Sequence, residues 1–157
     1  MRFALVSDAW RPQVNGVART LAALHDGLKA AGHHVFPLTP ELFRTVACPT
    51  DREVRLAIAA RSRLARLLEA LIPDAIHIAT EGPLGTAARK YCIKRDLHFT
   101  TAYHTRYPEY LKARFGVPMA WTYAILRRFH FSAGILLENL RVAVRVLVNV
   151  IRRGFEL

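Results

Sequence analysis

The chain has 157 residues, of which 52% are hydrophobic and 22% are charged. This length and composition are typical of one globular domain with a hydrophobic core, and they exclude a disordered chain and two full domains. The formal net charge of +11 at pH 7 is compatible with a solvated basic surface, an anionic membrane surface or phosphate-bearing substrates. We expect no nucleic-acid partner, because zinc-finger spacing, a basic zipper and an aromatic RNA-binding signature are all absent from the sequence.

Two sequence features bear on location. The apolar run at residues 3–6 is too short for a signal peptide, and no stretch approaches the ~20 apolar residues that cross a bilayer. Cys48 and Cys92 stand alone in the sequence, as is typical of a reducing compartment. We therefore expect a cytoplasmic protein, either soluble or attached peripherally to the inner face of the membrane.

Predicted strands and helices alternate along the chain. Residues 3–7 form a short apolar strand, and Leu21, Leu24 and Leu28 then repeat at helical spacing until Gly32 ends the first helix. Further strands are predicted at residues 34–38, 53–58, 75–79 and 99–102, further helices at 62–72, 84–95, 108–115 and 118–131, and a loop at 39–54. This order predicts an α/β fold, a Rossmann-like parallel sheet with helices on both faces. Residues 140–151 alternate as in a strand, but over an unusual length.

The loop at residues 7–17 joins the first strand to the first helix and carries Asn15-Gly16. Unpaired N–H groups and the helix dipole favour an anion at a helix start, and glycine allows close backbone approach. The dinucleotide fingerprint G-x-G-x-x-G and the P-loop pattern are absent, which argues against an NAD enzyme and a standard NTPase. An ordinary Asn-Gly turn and a phosphate-binding loop both remain open on these residues.

Two more loops follow strands and therefore lie at the same edge of the predicted sheet. His104 comes after the strand at 99–102, where it either pins a loop or contacts a sugar. Glu81 comes after the strand at 75–79, where it either binds sugar hydroxyls or favours the start of the next helix. The other histidines, His130 among them, follow no metal-binding or catalytic spacing, so we expect no metal site.

Four segments together resemble one family: S-D-A-W-R-P-Q-V-N-G-V at residues 7–17, G-H-H-V at 32–35, P-D-A-I-H-I-A-T-E-G-P-L-G at 73–85 and A-Y-H-T-R-Y-P-E-Y at 102–110. In this order and spacing they are similar to the N-terminal domain of family 4 glycosyltransferases. The likeness is greatest to the branch that holds GDP-mannose-dependent α-mannosyltransferases and sulfoquinovosyl-diacylglycerol synthases.

The resemblance implies one half of a GT-B fold and retaining transfer of a hexosyl, mannosyl-like group from a GDP- or UDP-linked sugar to a lipid or glycan acceptor. It implies neither a cofactor nor a metal. Carried over by position, the residues at the donor phosphates are Asn15, Gly16 and Val17, and the catalytic residue at the donor sugar is His104. Those on the acceptor side are Asp8, Arg11, Glu81, Tyr103 and Thr105.

The resemblance also divides the chain. Residues 1–131 match the acceptor-side domain, residues 132–157 diverge from the family, and the donor-binding domain with its Glu-x7-Glu motif is absent. We therefore expect the isolated chain to be inactive. Two alternatives are a truncated product without activity and a non-catalytic module that binds acceptor or membrane. For the second, apolar and basic residues share the segments 62–72 and 107–130. We expect the apolar ones to be core: Leu64, Leu67, Leu68, Leu71, Trp121, Tyr123 and Leu126.

Overall fold

The computed structural model of the chain describes residues 1–48, 51–102 and 118–130. Its strands are β1 (Arg2–Val6), β2 (His34–Leu38), β3 (Thr45–Cys48), β4 (Asp51–Ala57), β5 (Ala75–Ile78) and β6 (Thr100–Thr101). Four of them form one sheet in the order β2-β1-β5-β6, and every neighbouring pair in it is parallel. The main helices are α1 (Gly16–Ala30), α2 (Ala60–Leu71), α3 (Pro83–Lys94) and α4 (Met119–His130).

Helices cover both faces of this sheet because side chains alternate along the central strand. Ala4 and Val6 of β1 belong to a core cluster that includes residues of α2, α3 and α4. Leu5, between them, belongs to a second cluster with Leu21 of α1. The predicted α/β fold, a Rossmann-like parallel sheet with helices on both faces, is confirmed.

The segment predicted as a loop at residues 39–54 is more ordered than expected. A short 3-10 helix occupies Pro40–Leu42, and β3 and β4 pair as an antiparallel hairpin outside the main sheet. The loop prediction was therefore wrong for β3, whose β-branched Thr45 and Val46 favour extended backbone, whereas the strand predicted at residues 53–58 corresponds to most of β4. Arg55 joins its two strands by donating from Nε to Thr45 Oγ1 at 3.1 Å.

Helix α4 buries only one stripe of its surface. Thr122, Leu126 and Phe129 are buried at the spacing of one helical face. Trp121 is 72% exposed and Tyr123 is 40% exposed, so the expectation that these two residues are core was wrong. The other expected core residues are buried or packed against the core: Leu64, Leu67, Leu68, Leu71 and Leu126.

Two predicted elements, the helix at residues 108–115 and the strand-like alternation at 140–151, lie outside the described residues. Within the described ranges, no helix combines the length and the hydropathy needed to cross a membrane.

Candidate functional site

The carboxyl ends of β1, β5 and β6 lie at one edge of the sheet, since parallel strands end on the same side. The backbone N–H of Ala79 donates to the Val6 carbonyl at 2.9 Å, and that of Asp8 donates to Thr80 Oγ1 at 2.7 Å. The last residue of α4, His130, reaches Thr101 at the end of β6. Open α/β sheets bind their ligands at this carboxyl edge.

The loop after β1 ends at an open helix N-terminus. Asn15 caps α1 by accepting the N–H of Ala18 on its side-chain oxygen at 2.9 Å. In the described part of the chain, no acceptor meets the N–H groups of Gly16 and Val17. A Cβ added at Gly16 would find nothing within 4 Å. The fold therefore leaves two donors and free space at the positive end of the α1 dipole.

Asp8, predicted on the acceptor side, caps α3 from a distance. Its carboxyl group accepts the N–H of Leu84 at 2.8 Å, the N–H of Gly85 at 3.2 Å and the hydroxyl of Thr80 at 2.8 Å. Burial raises the pKa of Asp8, and the hydrogen bonds from Leu84, Thr80 and Gly85 oppose that rise. A Cβ at Gly82 would lie 2.5 Å from Asp8 Cγ, so this glycine makes room for the carboxyl group. Contact of Asp8 with an acceptor stays a prediction.

Glu81 lies in the turn before α3 and has a partner that the sequence patterns missed. Its Oε1 is 3.1 Å from Nε2 of His130, whose Nδ1 is 2.8 Å from Thr101 Oγ1. Burial raises the pKa of Glu81, its own backbone N–H and His130 oppose the rise, and Asp8 adds to it. Residues 81 and 130 follow no known spacing, and only the packing of α4 onto the edge brings them together.

Arg11, the other acceptor-side candidate before α1, contacts a carboxylate on α1. Its Nη2 is 3.5 Å from Asp26 Oδ2 on α1, and both side chains are more than 60% exposed. The neighbouring Trp10 packs edge-on against His25, with ring centroids 5.9 Å apart. Among the contacts of the described residues, none joins Arg11 to Asp8 or Glu81.

Three predicted site residues, Tyr103, His104 and Thr105, lie outside the described residues, so their contacts stay predictions. Across the ranges that the structure describes, no group of three or more His, Cys, Asp or Glu side chains is arranged to hold a metal ion.

Comparison with known proteins gives a family. The model of Glycosyltransferase Family 4 matches residues 14–137. The chain is 27% identical over 125 residues to an alpha-monoglucosyldiacylglycerol synthase of Acholeplasma laidlawii, covering 70% of this chain and 31% of the relative. It is 27% identical over 124 residues to the enzyme of the same name from Streptococcus pneumoniae, covering 71% of this chain and 28% of the relative.

A third relative is a GDP-mannose-dependent alpha-mannosyltransferase of Mycobacterium tuberculosis, 24% identical over 148 residues, covering 78% of this chain and 38% of the relative. The chain thus spans about a third of the length of these relatives. No solved structure matches it. Because the family model covers well over half of the residues, the chain belongs to Glycosyltransferase Family 4.

Proposed function

We propose that residues 1–131 form the acceptor-side domain of a retaining glycosyltransferase. The reaction is transfer of a hexosyl group, mannosyl or glucosyl, from a GDP- or UDP-linked sugar to a lipid or glycan acceptor. Two relatives named as glucosyldiacylglycerol synthases and one named as a GDP-mannose-dependent mannosyltransferase support these substrate classes. The proposal needs no cofactor or metal, and it assigns donor binding in part to a second domain.

The observation that carries the proposal is the open N-terminus of α1 in a chain of this family. The donor's diphosphate gains negative charge as the sugar leaves, and preorganised N–H donors stabilise such charge without reorganisation. The N–H groups of Gly16 and Val17, beside the helix start that Asn15 caps, support this role. Catalysis is then mainly positioning and electrostatic stabilisation.

The remaining roles follow by position. His104 contacts the donor sugar near the reacting carbon, and Tyr103 and Thr105 flank the acceptor. Glu81 accepts a hydrogen bond from an acceptor hydroxyl. Asp8 has an indirect role on the acceptor side: it fixes the turn that contains Glu81. Its carboxyl group already accepts hydrogen bonds from Thr80, Leu84 and Gly85.

The test begins with the coding DNA beyond Leu157 in all three frames and the intact mass of the product. A Glu-x7-Glu motif in about 200 further residues would supply the donor-side domain, since domains are commonly 100–200 residues. Transfer from GDP-mannose and UDP-glucose to diacylglycerol is then measured on the whole translation product and on residues 1–157 alone. We expect transfer only from the former. Transfer by residues 1–157 alone would contradict the assignment of donor binding to a second domain.

The site itself is tested by Gly16→Val, with Ala23→Val on the exposed surface of α1 as the matched control. A Cβ at this position meets no neighbour in the fold, but the branched side chain would occupy the space that the diphosphate needs. We expect kcat/KM to fall at least about tenfold for Gly16→Val, and Ala23→Val to stay within about twofold. His104→Ala is expected to lower kcat with little change in stability. Equal kinetics of wild type and Gly16→Val would remove the phosphate site.

A second candidate function, binding to an anionic membrane surface, is favoured by the exposed side of α4. Trp121 and Ile125, one helical turn apart, are 72% and 70% exposed. The last turn of α4 carries Arg127 and Arg128, and the helix contains no acidic residue. An apolar surface next to basic residues, in a chain of net charge +11, suits the headgroup region of an anionic bilayer.

Co-sedimentation with vesicles tests this candidate on the 157-residue chain. We expect binding to phosphatidylglycerol vesicles but not to phosphatidylcholine vesicles, and release by high salt. Trp121→Ser should lower the partition coefficient about tenfold by removing buried apolar area. The control Ile93→Ser removes a 49% exposed side chain on α3 and should change nothing. Equal binding of the two variants would exclude α4 as the membrane surface.

A further inference from the structure

We propose that His130 is a positioning residue for Glu81. Its imidazole ring holds one carboxylate oxygen of Glu81, so that the other oxygen is presented to a hydroxyl group of a neutral, hydroxyl-rich acceptor. This inference rests on the proposed function, in which Glu81 belongs to the acceptor side.

The hydrogen bonds of the ring define its role. An ionised Glu81 can only accept, so Nε2 of His130 carries the proton in the 3.1 Å contact with Oε1. The other nitrogen, Nδ1, is 2.8 Å from Thr101 Oγ1, whose hydroxyl can either donate or accept. Both contacts are therefore satisfied by one orientation of the ring.

His130 is held in place by the end of α4. Arg89 of α3 donates to the carbonyl oxygen of Arg128 at 2.9 Å and to that of Phe129 at 3.2 Å. These carbonyls belong to the last turn of α4, where intrahelical partners are missing. The Phe129 side chain is only 8% exposed, and the Arg89 guanidinium lies 5.6 Å from its ring centroid. The ring of His130 therefore projects from a fixed helix end.

The backbone around Glu81 is also fixed, by contacts of Asp8 with residues before and after it. Asp8 binds Thr80, the residue before it, and the N–H groups of Leu84 and Gly85 soon after it. The Glu81 side chain is 12% exposed, and its carboxyl group interacts with its own backbone N–H and with His130. A carboxylate has about four acceptor sites, so it can also accept a hydrogen bond from a ligand hydroxyl.

The charges around this carboxyl group select the class of ligand. Glu81 and Asp8 are both carboxyl groups and interact unfavourably with each other. A phosphate or carboxylate on the ligand would meet the same repulsion, whereas a sugar or glycerol hydroxyl donates a hydrogen bond without adding charge. The acceptor group at Glu81 is therefore a neutral hydroxyl.

Two substitutions of His130 separate its two contacts. The amide nitrogen of glutamine reaches about as far as Nε2, whereas that of asparagine reaches only as far as Nδ1. The probes are methyl α-D-mannopyranoside and glycerol, titrated into the 157-residue chain and read from the backbone amide shifts at Glu81 and Gly82. We expect His130→Gln to bind within about twofold of wild type and His130→Asn to bind about tenfold more weakly.

A spectroscopic arm tests the contact without any ligand. The Nε2–H of His130, protected by its bond to Glu81, should give an imidazole N–H signal that is absent from His130→Gln. Glu81→Ala should abolish the signal by exposing the proton to exchange. The control Glu69→Gln, which changes an exposed partner of Arg95, should retain it.

Three results would overturn the inference: equal probe binding by His130→Gln and His130→Asn, no response of wild type to either probe, or a ring N–H signal that survives Glu81→Ala. These readouts do not depend on sugar transfer. If Gly16→Val leaves transfer unchanged while the His130 results are as expected, the donor-phosphate part of the proposed function fails and the positioning of Glu81 stands.

Discussion

Two helices, α1 and α3, begin at the carboxyl edge of the sheet, and their N-termini are capped in different ways. The start of α1 is capped by its own neighbour Asn15 and leaves space over Gly16. The start of α3 follows Gly82, which has no side chain to cap it, and is filled by the carboxyl group of Asp8 from the β1 loop. One N-terminus is filled by a carboxyl group that the fold supplies, and the other is open to an anion from outside.

The difference separates the roles of the glycines at this edge. A Cβ at Gly82 would collide with Asp8, and a Cβ at Gly85 would overlap the Thr80 carbonyl oxygen. Both glycines are therefore required by packing. Gly16 has no neighbour that demands glycine, and the proposed donor diphosphate supplies a reason for it. Substitution of a glycine at the start of α3 should therefore lower the free energy of unfolding much more than substitution of Gly16.

The largest effect is expected from Gly85→Ala. The added methyl group must displace the backbone at Thr80, and overpacking against backbone in a buried turn costs about 3 kcal/mol or more. The matched change Gly16→Ala should alter the free energy of unfolding by less than about 1 kcal/mol, in the stabilising direction. Urea unfolding followed by circular dichroism measures both. Similar losses for the two variants would end the distinction between the N-termini.

Removing the carboxyl group with Asp8→Ala should cost about 2–3 kcal/mol, because two buried N–H groups of α3 and the Thr80 hydroxyl lose their acceptor. Asp8→Asn keeps one acceptor oxygen and should lie between this variant and wild type. Asp26→Ala, on the exposed surface of α1, serves as the control and should stay within about 0.5 kcal/mol. An Asp8→Ala protein as stable as wild type would mean that the α3 cap contributes nothing.

At the open N-terminus, Asn15→Ala should cost about 1 kcal/mol, since it removes the side-chain acceptor for the N–H of Ala18. Asn15→Ser retains a capping oxygen and should recover most of this loss. Thermal unfolding of the three proteins measures the series. If Asn15→Ala also lowers kcat/KM well beyond Asn15→Ser, the helix start matters to the donor as well as to the fold.

The smallest effect is a pH dependence at the filled N-terminus. Burial raises the pKa of Asp8 above its ordinary value of 3.8, so the folded chain holds this proton more tightly than the unfolded chain. The resulting stability is complete below pH 3.8 and is lost as the pH rises through the raised pKa. Wild type should therefore be most favoured over Asp8→Asn at the acid end. A difference that grows with pH would give the opposite sign.

Much of the fold follows from the local pattern. Alternating strand and helix periods predicted the parallel sheet, and a loop at the end of each strand predicted which residues share its carboxyl edge. Strand β3 and its pairing with β4 were missed, because short strands that pair only with each other carry little pattern. Trp121 and Tyr123 were misassigned because a helical stripe of apolar residues does not say how wide the buried face is.

The sequence by itself determined most of the described elements, their order and the family, because backbone preferences and side-chain periods are local and the four motifs are short. Only the tertiary structure decided that Asp8 caps a helix that begins at Pro83, and that His130 holds Glu81. Both contacts join residues about fifty or more positions apart, and no period or spacing encodes such a pair. They form because β1, β5 and β6 end at one edge and α4 ends there as well, so that polar groups buried together must satisfy one another.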